Sequence, residues 1–187
     1  MRSMLPFWRL HEYLTMPELI PVLDRAAIAR RIADIARQIS IDYKNADLVM
    51  IGVLKGAFVF LADLIRQIDL ERFVVDFVRV VSYADGMETS GNLRMIKDIE
   101  VDIADKDLLI VEDILDSGLT LNYLVCHFKQ RNPKSIKICT LIEKRERRQI
   151  DIAGDYICHT VERGFLVGYG LDYAEAYRNL PEVFELK

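Results

Sequence analysis

Cysteine is scarce in this chain: Cys126, Cys139 and Cys158 are the only three in 187 residues, far apart and without metal-ligand spacing. That excludes a disulfide-built scaffold and a cysteine zinc site, and it suits buried thiols in a reducing, cytoplasmic setting. Long apolar runs are missing too. No stretch approaches the ~20 residues that cross a bilayer. The opening MRSMLPFWRLHEYLTMPELIP carries charges throughout and has no apolar core of a signal peptide. No membrane partner is expected. Excess positive charge is also absent: 25 Lys and Arg against 29 Asp and Glu give a net charge of −4, which argues against nucleic acid as the main partner. There is no internal repeat, no low-complexity segment and no Walker A loop. The glycine-rich stretch from Gly164 to Asp172 has the wrong spacing for a dinucleotide fingerprint, and no long helix follows it.

What is present is a hydrophobic content of 51%, enough for one globular domain spanning 1–187. Residues 1–22, with Pro6, Pro17 and Pro21, read as an irregular arm. From the N-cap Asp24 a helix is expected to Ser40, burying Ile28, Ile32, Ile35 and Ile39. Asp47–Val53 is a buried strand, followed by the turn Leu54-Lys55-Gly56-Ala57 and a helix over 58–68. This turn is either a second anion loop or a plain strand-to-helix turn with a solvated lysine. Phe73–Ser82 is β-rich, with Asp76 and Arg79 at its more exposed positions. The polar, two-glycine stretch within 83–94 reads as a mobile lid loop, and 93–102 as a returning strand. A helix over 119–130 and a buried strand over 135–142 follow, then short strands at 156–160 and 165–167. Strand–helix alternation predicts an α/β fold with a central parallel sheet flanked by helices. The charge run Glu143–Arg148 reads as a solvated face or a basic cluster, His127 as structural, and Asp172 as a turn acid or a metal ligand.

The organising stretch is Leu108–Thr120, LLIVEDILDSGLT. Its apolar run fits a strand buried on both faces that stops at two adjacent carboxylates, Glu112 and Asp113. Carboxylates crowded at a strand end are costly unless a cation or hydroxyl donors meet them; a ribose diol with a divalent metal supplies both. Asp116 and the small-residue turn Ser117-Gly118-Leu119-Thr120 then lead into a helix. Free N–H groups and the helix dipole make that turn an anion site suited to phosphate.

This stretch resembles the phosphoribosyl diphosphate (PRPP) motif of the type I phosphoribosyltransferases. With Leu54-Lys55-Gly56, Ser82-Tyr83, and Lys144 together with Phe165–Tyr173, the chain is similar to the hypoxanthine–guanine branch of that family over about 19–178. The resemblance implies a type I phosphoribosyltransferase fold with a small hood over the base site, to which 155–187 contributes. It implies transfer of the phosphoribosyl group from PRPP, with Mg2+, to N9 of a 6-oxopurine (hypoxanthine, guanine or both), releasing pyrophosphate in purine salvage by a homodimer or homotetramer. By the same resemblance, Glu112, Asp113, Asp116, Ser117, Gly118, Leu119 and Thr120 bind PRPP, with Asp116 as the catalytic base. Lys55, Gly56, Ser82, Tyr83 and Arg178 hold pyrophosphate. Ile114, Lys144, Phe165, Leu166 and Asp172 bind the purine, and Glu112, Asp113 and Asp172 meet metal. The Leu54–Lys55 peptide is expected to be cis. Ala57, Gly164 and Cys158-His159-Thr160 depart from the family pattern and touch base preference. Two alternatives stay open: a PRPP-sensing RNA regulator of the same fold, using Lys144, Arg145, Arg147 and Arg148, and an enzyme preferring another base such as xanthine.

Overall fold

The computed structural model describes residues 17–83 and 92–187. Its elements run β1 (Leu19–Leu23), α1 (Arg25–Asp42), β2 (Leu48–Leu54), α2 (Phe58–Ile65), β3 (Val74–Tyr83), β4 (Asn92–Lys97), β5 (Asp107–Leu115), α3 (Leu119–Lys129), β6 (Ser135–Lys144), β7 (Tyr156–Val161), β8 (Leu166–Val167) and β9 (Val183–Leu186).

Six strands form the main sheet in the order β4-β3-β2-β5-β6-β7, parallel except for the antiparallel β4 at one edge. Alternate residues of each central strand enter opposite cores, as the period of 2 requires. Leu48 and Met50 of β2, Leu109 and Val111 of β5 and Cys139 and Leu141 of β6 pack with α1 and α2. Val49 and Ile51, Leu108 and Ile110, and Ile138 pack with Leu121, Leu124 and Phe128 of α3. Coverage on both faces is why these strands read as continuous apolar runs. The second sheet, β1-β9-β8, is small and antiparallel.

α1 starts as expected. The Asp24 carboxylate accepts from the Ala27 N–H at 2.7 Å, and the buried stripe is Ile28, Ile32, Ala36 and Ile39, with Ile35 at its margin.

Several expectations need correction. The stretch taken as an irregular arm contains β1, whose Pro21 lies opposite Phe184 beside a register shift. Proline is tolerated there because β1 pairs on one side only. α2 ends at Ile65, so Ile68 lies beyond it. Asp76 is not an exposed position of β3. Its carboxylate, only 11% exposed, accepts from the backbone N–H groups of Glu100 (2.6 Å) and Val101 (3.2 Å) and ties the segment after β4 to β3. β3 runs through Tyr83 and β4 begins at Asn92, so strand occupies both ends of the stretch read as a lid. Residues 84–91, like 1–16, lie outside the described residues. Cys139 and Cys158 are buried, but Cys126 is exposed.

Candidate active site

The decisive departure from the sequence pattern lies in β5, which runs on through Glu112 and Asp113 to Leu115. Its pairing explains why. β2 accompanies β5 only as far as Gly52 opposite Val111, whereas β6 stays with it to Glu143 opposite Leu115. From Glu112 onward, β5 is held on one side and open on the other. That opening falls where the strand order reverses, between β2 leading to β3 and β5 leading to β6, which is where ligands bind in open parallel sheets. It is a cleft of about 310 Å³ lined by Lys55, Gly56, Glu112–Gly118, Thr120, Asp172 and Arg178, among others.

The Leu54–Lys55 peptide is cis, and Gly56, the next residue, lies directly against Asp113. A Cβ on Gly56 would overlap the Asp113 carboxylate, so only glycine fits. Glu112 is 7% exposed, and its Oε2 has no hydrogen-bond partner. Burial, together with the charge of Asp113, pushes the Glu112 carboxyl well above the usual range. Burial likewise raises Asp113, against the pull of Arg178. Such a carboxylate pair is poised for a cation or for hydroxyl donors.

Beyond Leu115 comes the small-residue turn. Gly118 has φ +84°, a conformation that side chains resist, and caps α3. The Ser117 hydroxyl accepts from the Leu119 N–H at 3.3 Å. The Ser117 carbonyl is held by the N–H groups of Gln149 (2.9 Å) and Ile150 (3.1 Å). A strap over 148–152 thus lies on the turn. Nothing in the sequence pattern pointed to it.

Asp116, just past the end of β5, and Lys144, the last residue of β6, meet: Lys144 Nζ is 3.0 Å from Asp116 Oδ2 and donates to the Gly164 carbonyl at 3.3 Å. The Lys144 side chain is 6% exposed, while Asp116 Oδ1 is buried without a partner. The charge run Glu143–Arg148 is therefore not a uniform solvated face. Glu143 and Lys144 are buried, Arg145 and Arg147 are exposed, and Arg148 turns inward.

The hood stands over this pair. Phe165 is 45% exposed and meets Tyr173 edge to face at 5.6 Å. The Leu186 N–H donates to the Phe165 carbonyl at 2.8 Å, and Leu166 stands opposite Glu185. That register leaves the N–H and C=O of Leu166 facing away from β9. Ile114 is partly buried opposite Ile142. Gly170 locks the hood to the turn after β2, since a Cβ there would overlap the Gly56 carbonyl.

The cations of the far wall are already paired. Arg178 sits 2.7 Å from Asp172 Oδ1 and donates to the Gly170 carbonyl at 2.7 Å; Lys55 Nζ lies 2.9 Å from Glu175 Oε2. The hydrogen bond from Lys55 holds the Glu175 carboxyl below its ordinary range. Glu175 was missed from sequence, because its placement depends on the left-handed turn at Ala174 and Glu175; Tyr173 was named only as the end of the Phe165–Tyr173 stretch. Among the described residues no three acid, histidine or cysteine side chains converge on a metal position. Glu112, Asp113 and Asp172 line one cleft but form no closed cage. Ser82 and Tyr83 end β3 at the cleft side of the sheet; their side chains lie outside the described residues. No helix among the described residues is long and apolar enough to cross a membrane.

The comparisons agree with this geometry. The family model for the phosphoribosyl transferase domain matches residues 21–174. A hypoxanthine-guanine phosphoribosyltransferase of Aquifex aeolicus is 44% identical over 165 residues, covering 87% of this chain and 92% of the relative. The hypoxanthine phosphoribosyltransferase of Escherichia coli is 43% identical over 171 residues, covering 90% and 94%. Among solved structures, a Bacillus anthracis hypoxanthine-guanine phosphoribosyltransferase superposes with a TM-score of 0.84 at 39% identity, covering 92% of this chain and all of that one. A Staphylococcus aureus hypoxanthine phosphoribosyltransferase gives 0.85 at 38% identity, covering 96% and 95%. A β5 that opens beside the Lys55-Gly56 turn, a small-residue turn at the start of α3 and these relatives lead to one assignment: the chain belongs to the phosphoribosyltransferase family.

Proposed function

We propose that this enzyme transfers the 5-phosphoribosyl group of PRPP to N9 of hypoxanthine or guanine, releasing pyrophosphate and forming the nucleoside monophosphate. The observation that carries the choice of base is the Lys144–Asp116 pair at 3.0 Å. A 6-oxopurine presents an acceptor (the 6-oxo group) and an N7–H donor side by side on one edge. A lysine ammonium and an aspartate carboxylate, side by side, are the matching donor and acceptor. An adenine would turn its amino group toward the ammonium, which cannot accept a hydrogen bond. Lys144 therefore selects, and Asp116 takes the N7 proton as N9 attacks. Phe165 stacks on the ring, Ile114 packs near it, and the free N–H and C=O of Leu166 meet its outer edge.

Asp116–Thr120 cradle the 5′-phosphate with backbone N–H groups and hydroxyls. Glu112 and Asp113 receive the ribose hydroxyls. Lys55, Gly56, Arg178 and the end of β3 at Ser82 and Tyr83 receive pyrophosphate. Binding then exchanges the ion pairs of Lys55 with Glu175 and of Arg178 with Asp172 for phosphate contacts. The residues fit a magnesium carried in by substrate. Glu112 Oε2 is buried and unpartnered, and magnesium is commonly held by one or two carboxylates plus substrate oxygens. When bound, the metal supplies neutralisation of the charge on departing pyrophosphate. A cytoplasmic setting and a homodimer or homotetramer complete the reading.

The alternative of an RNA regulator is weakened, because Lys144 and Arg148 of its four cations turn inward. The test is direct: PRPP, Mg2+ and hypoxanthine should yield inosine monophosphate and pyrophosphate in equal amounts. PRPP binding without product would contradict the proposal.

A further inference from the structure

Arg148 has no part in the transfer proposed above, yet it reaches three carbonyls around the site. Its guanidinium donates to the carbonyl of Leu115 at 3.3 Å, to that of Lys144 at 3.2 Å, and to that of Ile152. Glu143 Oε1 lies 3.7 Å away and neutralises the charge. The side chain is 21% exposed and its Nε has no partner. Two of these acceptors are strategic. Leu115 is the last residue of β5, immediately before Asp116; Lys144 is the last residue of β6. The ladder between these strands ends at Leu115 opposite Glu143. Past that point no backbone pairing among the described residues joins the two strand ends; Arg148 links their carbonyls, beside the Lys144–Asp116 side-chain pair.

We infer that Arg148 is a positioning residue that sets the spacing between Asp116 and Lys144, and thereby the fit and the 6-oxo selectivity of the purine edge. Both strand carbonyls accept from one nitrogen, Nη2, while Nη1 donates to the Ile152 carbonyl; the two N–H bonds of Nη2 are fixed in the guanidinium plane, whereas a lysine ammonium is a point donor on a flexible stem. The inference rests on the purine-side roles given to Asp116 and Lys144. A merely structural role is distinguishable. If Arg148 only anchored the strap over 148–152, its loss would act on the turn that the strap covers, and so on PRPP.

The experiment compares Arg148→Gln, Arg148→Lys and Lys144→Met by steady-state kinetics with PRPP, Mg2+ and either hypoxanthine or adenine, with folding checked by thermal melting. Loss of charge-assisted bonds at the strand ends should raise the KM for hypoxanthine in Arg148→Gln by about tenfold. The preference for hypoxanthine over adenine should fall in parallel, and the KM for PRPP should move far less. Arg148→Lys should recover only part of the loss, and it carries the test by itself if Arg148→Gln does not fold. A rise confined to the KM for PRPP, or full recovery in Arg148→Lys, overturns the inference. If Lys144→Met also leaves hypoxanthine kinetics unchanged, the purine-edge assignment fails first; if Lys144→Met is impaired and Arg148→Gln is not, only the role of Arg148 is lost.

Discussion

Replacing Lys144 by methionine isolates the chemistry of the purine edge. The change keeps an unbranched stem in a site where the side chain is 6% exposed, so packing is largely conserved. What disappears is the ammonium, and three consequences follow from its neighbours. The bond to the purine 6-oxo group is lost. A charge-assisted hydrogen bond contributes roughly 1.5–3 kcal/mol, so kcat/KM for hypoxanthine should fall about 10- to 150-fold. Asp116 loses the ion-pair partner 3.0 Å from its Oδ2 but stays in place as the proton acceptor. The base is therefore retained, and the deficit should appear in KM for the purine more than in kcat. Adenine, by contrast, no longer faces a like-polarity clash, and its turnover should hold or rise. The assay is pyrophosphate release at saturating PRPP with each base varied. The hypoxanthine-to-adenine ratio of kcat/KM should drop by about tenfold or more. A ratio unchanged within experimental error would refute the pairing of Lys144 with the 6-oxo group.

Other substitutions probe other parts of the cleft. Asp116→Asn keeps the shape of the turn but removes the base. Turnover should fall about 10²- to 10⁴-fold while PRPP binding measured by calorimetry persists, and loss of both together would point to a collapsed loop. Gly56→Ala places a methyl group on the Asp113 carboxylate; PRPP affinity should drop while adenine discrimination stays, because the purine edge is untouched. Asp76→Asn tests the tie between β3 and the segment after β4. Burial works against the Asp76 charge, but the N–H groups of Phe77, Glu100 and Val101, with Lys97, more than offset it and hold the carboxyl below its ordinary range. A depressed carboxyl stabilises the fold above its unfolded value and loses that contribution as pH falls through its folded value. Urea denaturation should therefore show a deficit of about 1–3 kcal/mol near neutrality that shrinks below about pH 4, and a deficit independent of pH would argue against the charge.

The central sheet was legible because its strands are covered on both faces, so Leu48–Val53, Leu108–Val111 and Ile138–Leu141 are near-continuous apolar runs. The Asp24 cap and the isoleucine stripe made α1 equally plain. The continuation of β5 through Glu112 and Asp113 was not legible. Two carboxylates look like a strand end, and only the one-sided pairing with β6 shows why they are tolerated inside one. β1 and β9 are short, and Pro21 stands in the first; their identity comes from pairing across more than 150 residues, which no local pattern reports. Within the site, Asp116, Lys144 and Phe165 were found through motifs. Glu175 was not, because a left-handed turn places it; Tyr173 and Arg148 were named only as the end of a motif and as one of a basic cluster, and nothing local shows that Arg148 turns inward while Arg145 and Arg147 face out.

The most direct measurement is pyrophosphate release from PRPP and Mg2+ with hypoxanthine, guanine, xanthine and adenine in parallel. Release with hypoxanthine or guanine, none with adenine, and none with any base once magnesium is chelated is the predicted result. Equal release with adenine would contradict the Lys144–Asp116 edge, and PRPP binding with no release from any base would contradict the assignment of a transferase activity.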